Sequence, residues 1–260
     1  MRFFITILSF LLSLFINTSL SYANSTNFFT PNWWKTASLE DVAKELANGA
    51  SVKERNKYGW TPLMYASESN QNPEIITTLL KHGASVKERD EDGETPLMYA
   101  SRYNENPEII TTLLKHGASV KERDKIGFTP LMYASRHNEN PEIITTLLKH
   151  GASVNERGLV GIIDLTPLIL ASESNQNPEI ITTLLKHGAS VKERDINGWT
   201  PLMSASNSNQ NPEIITTLLK HGADAKARSN EGKTALDYAK DNPKIYQTEA
   251  YWDLNQVTYE

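Results

Sequence analysis

The chain contains no cysteine, which excludes disulfides, thiol catalysis, cysteine-ligated zinc and lipid attachment through an N-terminal Cys. Single-sign charge is also missing. The 26 basic and 31 acidic residues are mixed along 260 residues, without a run of five or six like charges, for a formal net charge of −5. That balance argues against nucleic acid or an anionic membrane surface as partner. No Gly-rich phosphate loop, H-E-x-x-H helix or G-x-S-x-G elbow occurs, so no catalytic residue, cofactor or metal site is expected. A long apolar run is lacking too. The longest stretch, Phe3 to Ile16, falls short of the roughly 20 residues a membrane span needs.

That stretch follows Arg2 and leads into the small residues Ser21 and Ala23. These are the three parts of a secretory signal, so residues 1–23 read as a signal peptide cleaved after Ala23, with 24–31 as a linker. An uncleaved anchor is the competing reading. Export places the mature chain in a periplasmic or secreted setting, with no membrane contact after cleavage.

What is abundant is repetition. Thr-Pro-Leu occurs at Thr61, Thr95, Thr129, Thr166 and Thr200, with Thr-Ala-Leu at Thr234, at spacings of 34, 34, 37, 34 and 34 residues. A period of this size is the mark of a solenoid whose units bury their apolar faces only against one another. Thr61 with Pro62 reads as a helix start, and Asn72, Pro73 and Glu74 read as a second start. Ile75, Ile76, Leu79 and Leu80 then form one apolar stripe. Lys81 and His82 suit the negative helix end, and Gly83 the left-handed residue that ends it. Asp92-Gly93 marks a turn in the polar segment that follows, which should project as a finger.

Asp90 to Ser101 followed by Gly117-Ala-Ser-Val-Lys resembles the ankyrin repeat pattern. The resemblance implies an all-α solenoid of stacked helix-turn-helix units with projecting finger loops. Five full units span 49–82, 83–116, 117–150, 151–187 and 188–221, between an N-terminal capping half-repeat at 32–48 and a C-terminal capping repeat at 222–260. Where the family usually has His after Thr-Pro-Leu, this chain has Met64, Met98, Met132, Ile169 and Met203, so apolar packing is expected to replace a polar tie between repeats. Asn70, Asn104, Asn138, Asn175 and Asn209 stand where glycine is common, and a left-handed Asn would preserve the turn. Trp33 and Trp34 at one end, and Tyr251 and Trp252 at the other, are expected to shield the terminal units.

The outer helix is copied almost unchanged, so the differences among copies fall in the fingers and inner helices. In ankyrin repeats those positions line the groove that partners contact. The resemblance therefore implies a protein-binding groove at Trp60, Tyr65, Glu94, Tyr99, Arg102, Tyr103, Phe128, Tyr133, Arg136, His137 and Trp199, rich in the Trp, Tyr and Arg favoured at hot spots. Binding there requires Tyr99, Arg102, Tyr103, Tyr133 and Arg136 to form one contiguous exposed patch. The 37-residue unit adds an apolar finger tip, where Leu159, Val160, Ile162 and Ile163 are a second expected contact, set against folding back on neighbouring fingers. His82, His116, His150, His187 and His221 recur with the repeat, about 10 Å apart, and read as helix-end caps rather than ligands. Glu88-Arg89, Glu122-Arg123 and Glu193-Arg194 read as solvated finger pairs.

The expected function is a monomeric, non-catalytic scaffold for a protein partner, without cofactor. An accessory or inhibitory subunit docking on an exported enzyme is the alternative. Export predicts a mature protein about two kilodaltons smaller than its precursor, and an unchanged mass in the exported fraction would contradict cleavage.

Overall fold

The computed structural model describes residues 27–160 and 163–260. Each full unit is an antiparallel helix pair. The inner helices are Pro62–Ser69, Pro96–Tyr103, Pro130–His137, Pro167–Ser174 and Pro201–Ser208, and the outer ones Pro73–Lys81, Pro107–Lys115, Pro141–Lys149, Pro178–Lys186 and Glu213–Lys220. Inner helices pack on inner helices and outer on outer from one unit to the next. Among the described residues no helix is long and apolar enough to cross a membrane.

The start and stop signals act locally as the residue types demand. Asn72, Asn106, Asn140 and Asn177 each cap an outer helix by accepting from the backbone N–H two residues on, at 2.9 Å. Gly83 ends the first outer helix with φ at +97°, a conformation costly for any residue with a Cβ. Ile75, Ile76 and Leu79 are fully buried, and Leu80 packs at their margin. The inner helices are sheltered on all sides, and six consecutive residues, Pro62 to Ser67, are buried in the first. Such all-round burial is what a helix between two identical neighbours must accept.

The asparagine expectation is corrected. Asn70 is extended, with φ −88° and ψ 135°, rather than left-handed, because its side chain is spent on a neighbour. Its Nδ2 donates to the carbonyls of Trp34 and Ala37 at 2.7 and 3.0 Å, and its Oδ1 accepts from Asn72 N–H at 2.8 Å. The same fork recurs down the stack. Asn104 reaches Ser67 and Asn70, Asn138 reaches Ser101 and Asn104, and Asn175 reaches Ser135 and Asn138. Asn209 reaches Ser172 and Asn175, and Asn242 reaches Ser206 and Asn209. Every one of these asparagines is buried, so each unit is bolted to the one before it by two desolvated hydrogen bonds. The buried methionines do supply apolar packing, but the polar tie between repeats has moved to the asparagines.

The fingers carry a second ladder. Arg55, Arg89 and Arg123 each donate to a glycine carbonyl of their own finger and to an arginine carbonyl of the next. The finger ion pairs also run between units. Arg89 pairs with Glu122, and Arg123 with Glu156 at 2.6 Å, whereas adjacent Glu88 and Arg89 do not pair.

The 37-residue unit departs from helix and turn. Gly158–Val160 and Ile163–Leu165 form a short antiparallel ladder with Gly158 opposite Leu165. Its base is clamped, since a Cβ on Gly158 would meet Met132 Sδ at 2.7 Å and the Gly127 carbonyl at 3.1 Å.

The N-terminal cap starts earlier than the expected boundary. Phe28 is fully buried, and Trp34 donates its indole N–H to the Phe28 carbonyl at 2.9 Å, so the expected linker is part of the cap from Asn27 onward. At the other end Tyr251 and Leu254 are buried while Trp252 is 55% exposed. Trp252 therefore shields little of the terminal unit.

Replacing Asn138 by Ala strips partners from two buried carbonyls and the Asn140 N–H. The expected loss is about 3 kcal/mol, read as a lower urea midpoint. Asn72→Ala, which removes an exposed cap, should cost about 1 kcal/mol. Equal losses would contradict the ladder's weight.

Candidate functional site

The groove is built by the C-terminal halves of the inner helices and the finger bases. Between units one and two, Trp60 is half-buried, with its ring 4.9 Å from Tyr65 and 4.2 Å from Tyr99. Tyr65 and Tyr99 are themselves buried. Tyr65 accepts from Asn56 Nδ2 at 2.8 Å, and Tyr99 donates to Asp90 Oδ2 at 2.5 Å.

Between units two and three lies the strongest electrostatic cluster. Arg102 Nη2 holds Glu94 Oε1 at 2.5 Å and lays its guanidinium 3.7 Å from the Tyr133 ring centroid. The Tyr133 hydroxyl stands 2.5 Å from both Glu94 Oε1 and Asp124 Oδ2. A phenol carries one proton, so it serves one of these carboxylates at a time. Burial, then hydrogen bonding to Asp90, raises the Tyr99 pKa, and burial, then hydrogen bonding to Asp124, raises that of Tyr133.

The expected exposed patch is therefore corrected. Tyr99 and Tyr133 are buried, because each hydroxyl is drawn down to an aspartate of its own finger. Phe128 is buried against Tyr133, at 5.5 Å ring to ring, and Glu94 is committed to Arg102. What faces the groove is Tyr103, 50% exposed, with exposed His137 and half-buried Trp60, Arg102, Arg136 and Trp199. Trp199 lies far along the stack, packed on Tyr238 at 4.4 Å. The long-finger contact falls on Leu159, Val160, Ile162 and Ile163; Gly161 and Ile162 lie outside the described residues, as do the side chains of the other three.

The copies differ in charge along the groove. Arg136 repeats Arg102, but Phe128 occupies the position of Glu94, so Arg136 lacks the carboxylate that Arg102 has; the buried Nε of both arginines has no hydrogen-bond partner among the described residues. His137 beside it keeps part of its side chain in solvent, yet its pKa is pushed down to about 4, first by burial of the remainder and then by Arg102 and Arg136. Glu68 holds in unit one the place of Arg102 and Arg136, and burial raises its pKa.

Two cavities of about 520 Å³ open on this surface. One is bounded by Arg102, Tyr103 and His137, the other by Trp60, Tyr65, Glu68, Asp90, Asp92 and Tyr99. Glu68, Asp90 and Asp92 stand outside the expected set. Glu68 is signalled in the sequence as an acid where units two and three carry Arg102 and Arg136, and Asp92 as an acid where other copies carry Tyr58 and Ile126, whereas Asp90 recurs as Asp124 and Asp195 and carries no such signal.

Chemistry is sparse elsewhere. His82, His116, His150 and His221 donate Nδ1–H to a threonine carbonyl one turn back at 2.8–2.9 Å, which makes them caps. Among the described residues no group of three His, Asp or Glu side chains is arranged to hold a metal.

A family model described as ankyrin repeats, three copies, matches residues 33–124, 86–158, 124–195 and 168–248. The crystal structure of the ankyrin repeat domain of Bcl-3, described as a unique member of the IkappaB protein family, is similar at a TM-score of 0.61 and 26% identity, over 83% of this chain and 90% of that one. No curated protein matches the chain.

A histidine whose folded pKa is depressed contributes stability that is complete above its unfolded value of about 6.5. For His137 that contribution is lost as pH falls toward about 4. An NMR titration should show the His137 ring neutral down to about pH 4, and Arg136→Gln should move its titration upward. A midpoint near 6.5 in both proteins would contradict the role given to desolvation and the two arginines.

Proposed function

The chain belongs to the ankyrin repeat family, and on that premise we propose that it is a non-catalytic scaffold that takes a protein partner in its concave groove, in a compartment reached by export. One observation carries the reading. Five outer helices repeat the same Glu-Ile-Ile-Thr-Thr-Leu-Leu-Lys-His-Gly tract, while the groove positions change from unit to unit in charge and aromatic character. A surface that varies in front of an invariant outer-helix layer can be specific without costing stability. Arg102, Tyr103, Arg136 and His137 form the centre of the contact in units two and three, replacing the buried tyrosines in that role. Guanidinium and phenol groups held on rigid helices are favourable anchors, because little side-chain entropy is lost when they are covered.

The apolar finger tip at Leu159, Val160, Ile162 and Ile163 is a second contact in this reading. Its support is the hairpin, which gives that finger a paired backbone and a clamped base. Export is supported by the N-terminal segment alone.

Crosslinking in the native compartment, with the mature chain as bait, tests the groove. The wild-type chain should capture one specific protein, and a Tyr103→Ala, Arg136→Ala variant should lose it by about tenfold or more. An outer-helix Thr78→Ala control should keep it. A partner held equally by the groove variant, or lost only in the control, contradicts the reading.

A further inference from the structure

The cavity between units one and two has an aromatic floor and an acidic rim. Trp60, Tyr65 and Tyr99 are in mutual ring contact through Trp60. Five carboxylates, Glu68, Asp90, Glu91, Asp92 and Glu94, border it against one guanidinium, Arg102. Two of the five are already engaged, Asp90 by Tyr99 and Glu94 by Arg102. Glu68 accepts a hydrogen bond from its neighbour Ser69 Oγ at 3.4 Å and feels the charges of Lys35 and Arg102, but forms no ion pair among the described residues.

One unit along, the chain fills the corresponding place itself. Arg102 stacks on the Tyr133 ring and pairs with Glu94. By the 34-residue period, Glu68 stands for Arg102 and Tyr99 for Tyr133. At the first interface Trp60 covers the Tyr99 ring at 4.2 Å and itself presents the half-buried aromatic face, beside ample negative charge and a glutamate where the second interface supplies an arginine. A desolvated carboxylate beside an aromatic face is stabilised by a cation that can satisfy both.

We propose that this cavity receives an arginine side chain of the protein partner, its guanidinium over the half-buried Trp60 ring and its N–H fork on the carboxylates of Glu68 and Asp92. The proposal rests on the reading of the groove as a protein-binding surface and specifies what that surface recognises. Arginine is chosen over lysine because a planar guanidinium can stack on a ring and pair with a carboxylate at once, as Arg102 does with Tyr133 and Glu94, while its remaining N–H groups reach a second carboxylate.

The test uses the purified protein and capped tripeptides, acetyl-Gly-Arg-Gly-amide and its citrulline and lysine counterparts, followed through the Trp60 indole N–H by NMR. The arginine peptide should shift that resonance saturably. Citrulline, of the same shape without the charge, and lysine should each bind about tenfold more weakly or worse. Glu68→Gln, a near-isosteric change, should weaken the arginine peptide about tenfold while leaving the dispersion of the spectrum intact. No saturable shift at Trp60, an equal response to citrulline or lysine, or unchanged affinity in Glu68→Gln overturns the proposal. Groove-dependent capture of a protein with Trp60 silent to the arginine peptide overturns it and leaves the groove reading standing. Charge-dependent arginine binding at Trp60 without any groove-dependent partner supports the cavity's specificity and removes the groove reading.

Discussion

A linear stack has to fix its register at every interface, because the apolar faces of near-identical units attract without specifying an offset. Here a buried asparagine fixes it. Each one accepts the backbone N–H two residues on and donates twice to the previous unit. Because these groups are out of water, a slipped register would leave two carbonyls and an amide unpaired in the interior. Apolar burial supplies most of the stabilisation, and the asparagines make one alignment the only acceptable one. The exposed cap asparagines reinforce this, since Asn106, Asn140, Asn177 and Asn211 also reach back to the turn of the preceding unit at 2.7 Å.

With register fixed, the groove becomes a rigid surface on which side chains differ by unit but stand in repeated positions. That is why the comparison of Glu68, Arg102, Arg136 and Glu173 has physical content. The same geometry holds an acid, two bases and an acid in succession. Arg102 is neutralised by Glu94, whereas Arg136 has no carboxylate partner among the described residues. The buried tyrosines belong to the scaffold of this surface, tying inner helix to finger through Asp90 and Asp124.

Much of the fold was legible in the sequence, because Thr-Pro and Asn-Pro starts, apolar stripes and terminal glycines are local signals repeated five times. The hairpin in the long finger was not, since its three-residue strands are defined by pairing rather than by composition. The asparagines misled for a related reason. Their identity is compatible with a left-handed turn, and only the neighbouring unit shows that the side chain has a better use. At the groove, variation among copies pointed to Arg102, Tyr103 and Arg136, which the fold leaves exposed or half-buried. It could not separate a tyrosine facing solvent from one whose hydroxyl is taken up by an aspartate nine residues earlier.

The central claim is that buried side-chain amides lock the register of the stack and so preform the groove. Hydrogen exchange at the Nδ2 protons of Asn104, Asn138, Asn175 and Asn209, followed by NMR, tests it most directly. The account predicts protection comparable to the backbone amides of Ile109, Ile110 and Leu113 in the core. Exchange as fast as at the exposed Asn207 side chain would contradict it.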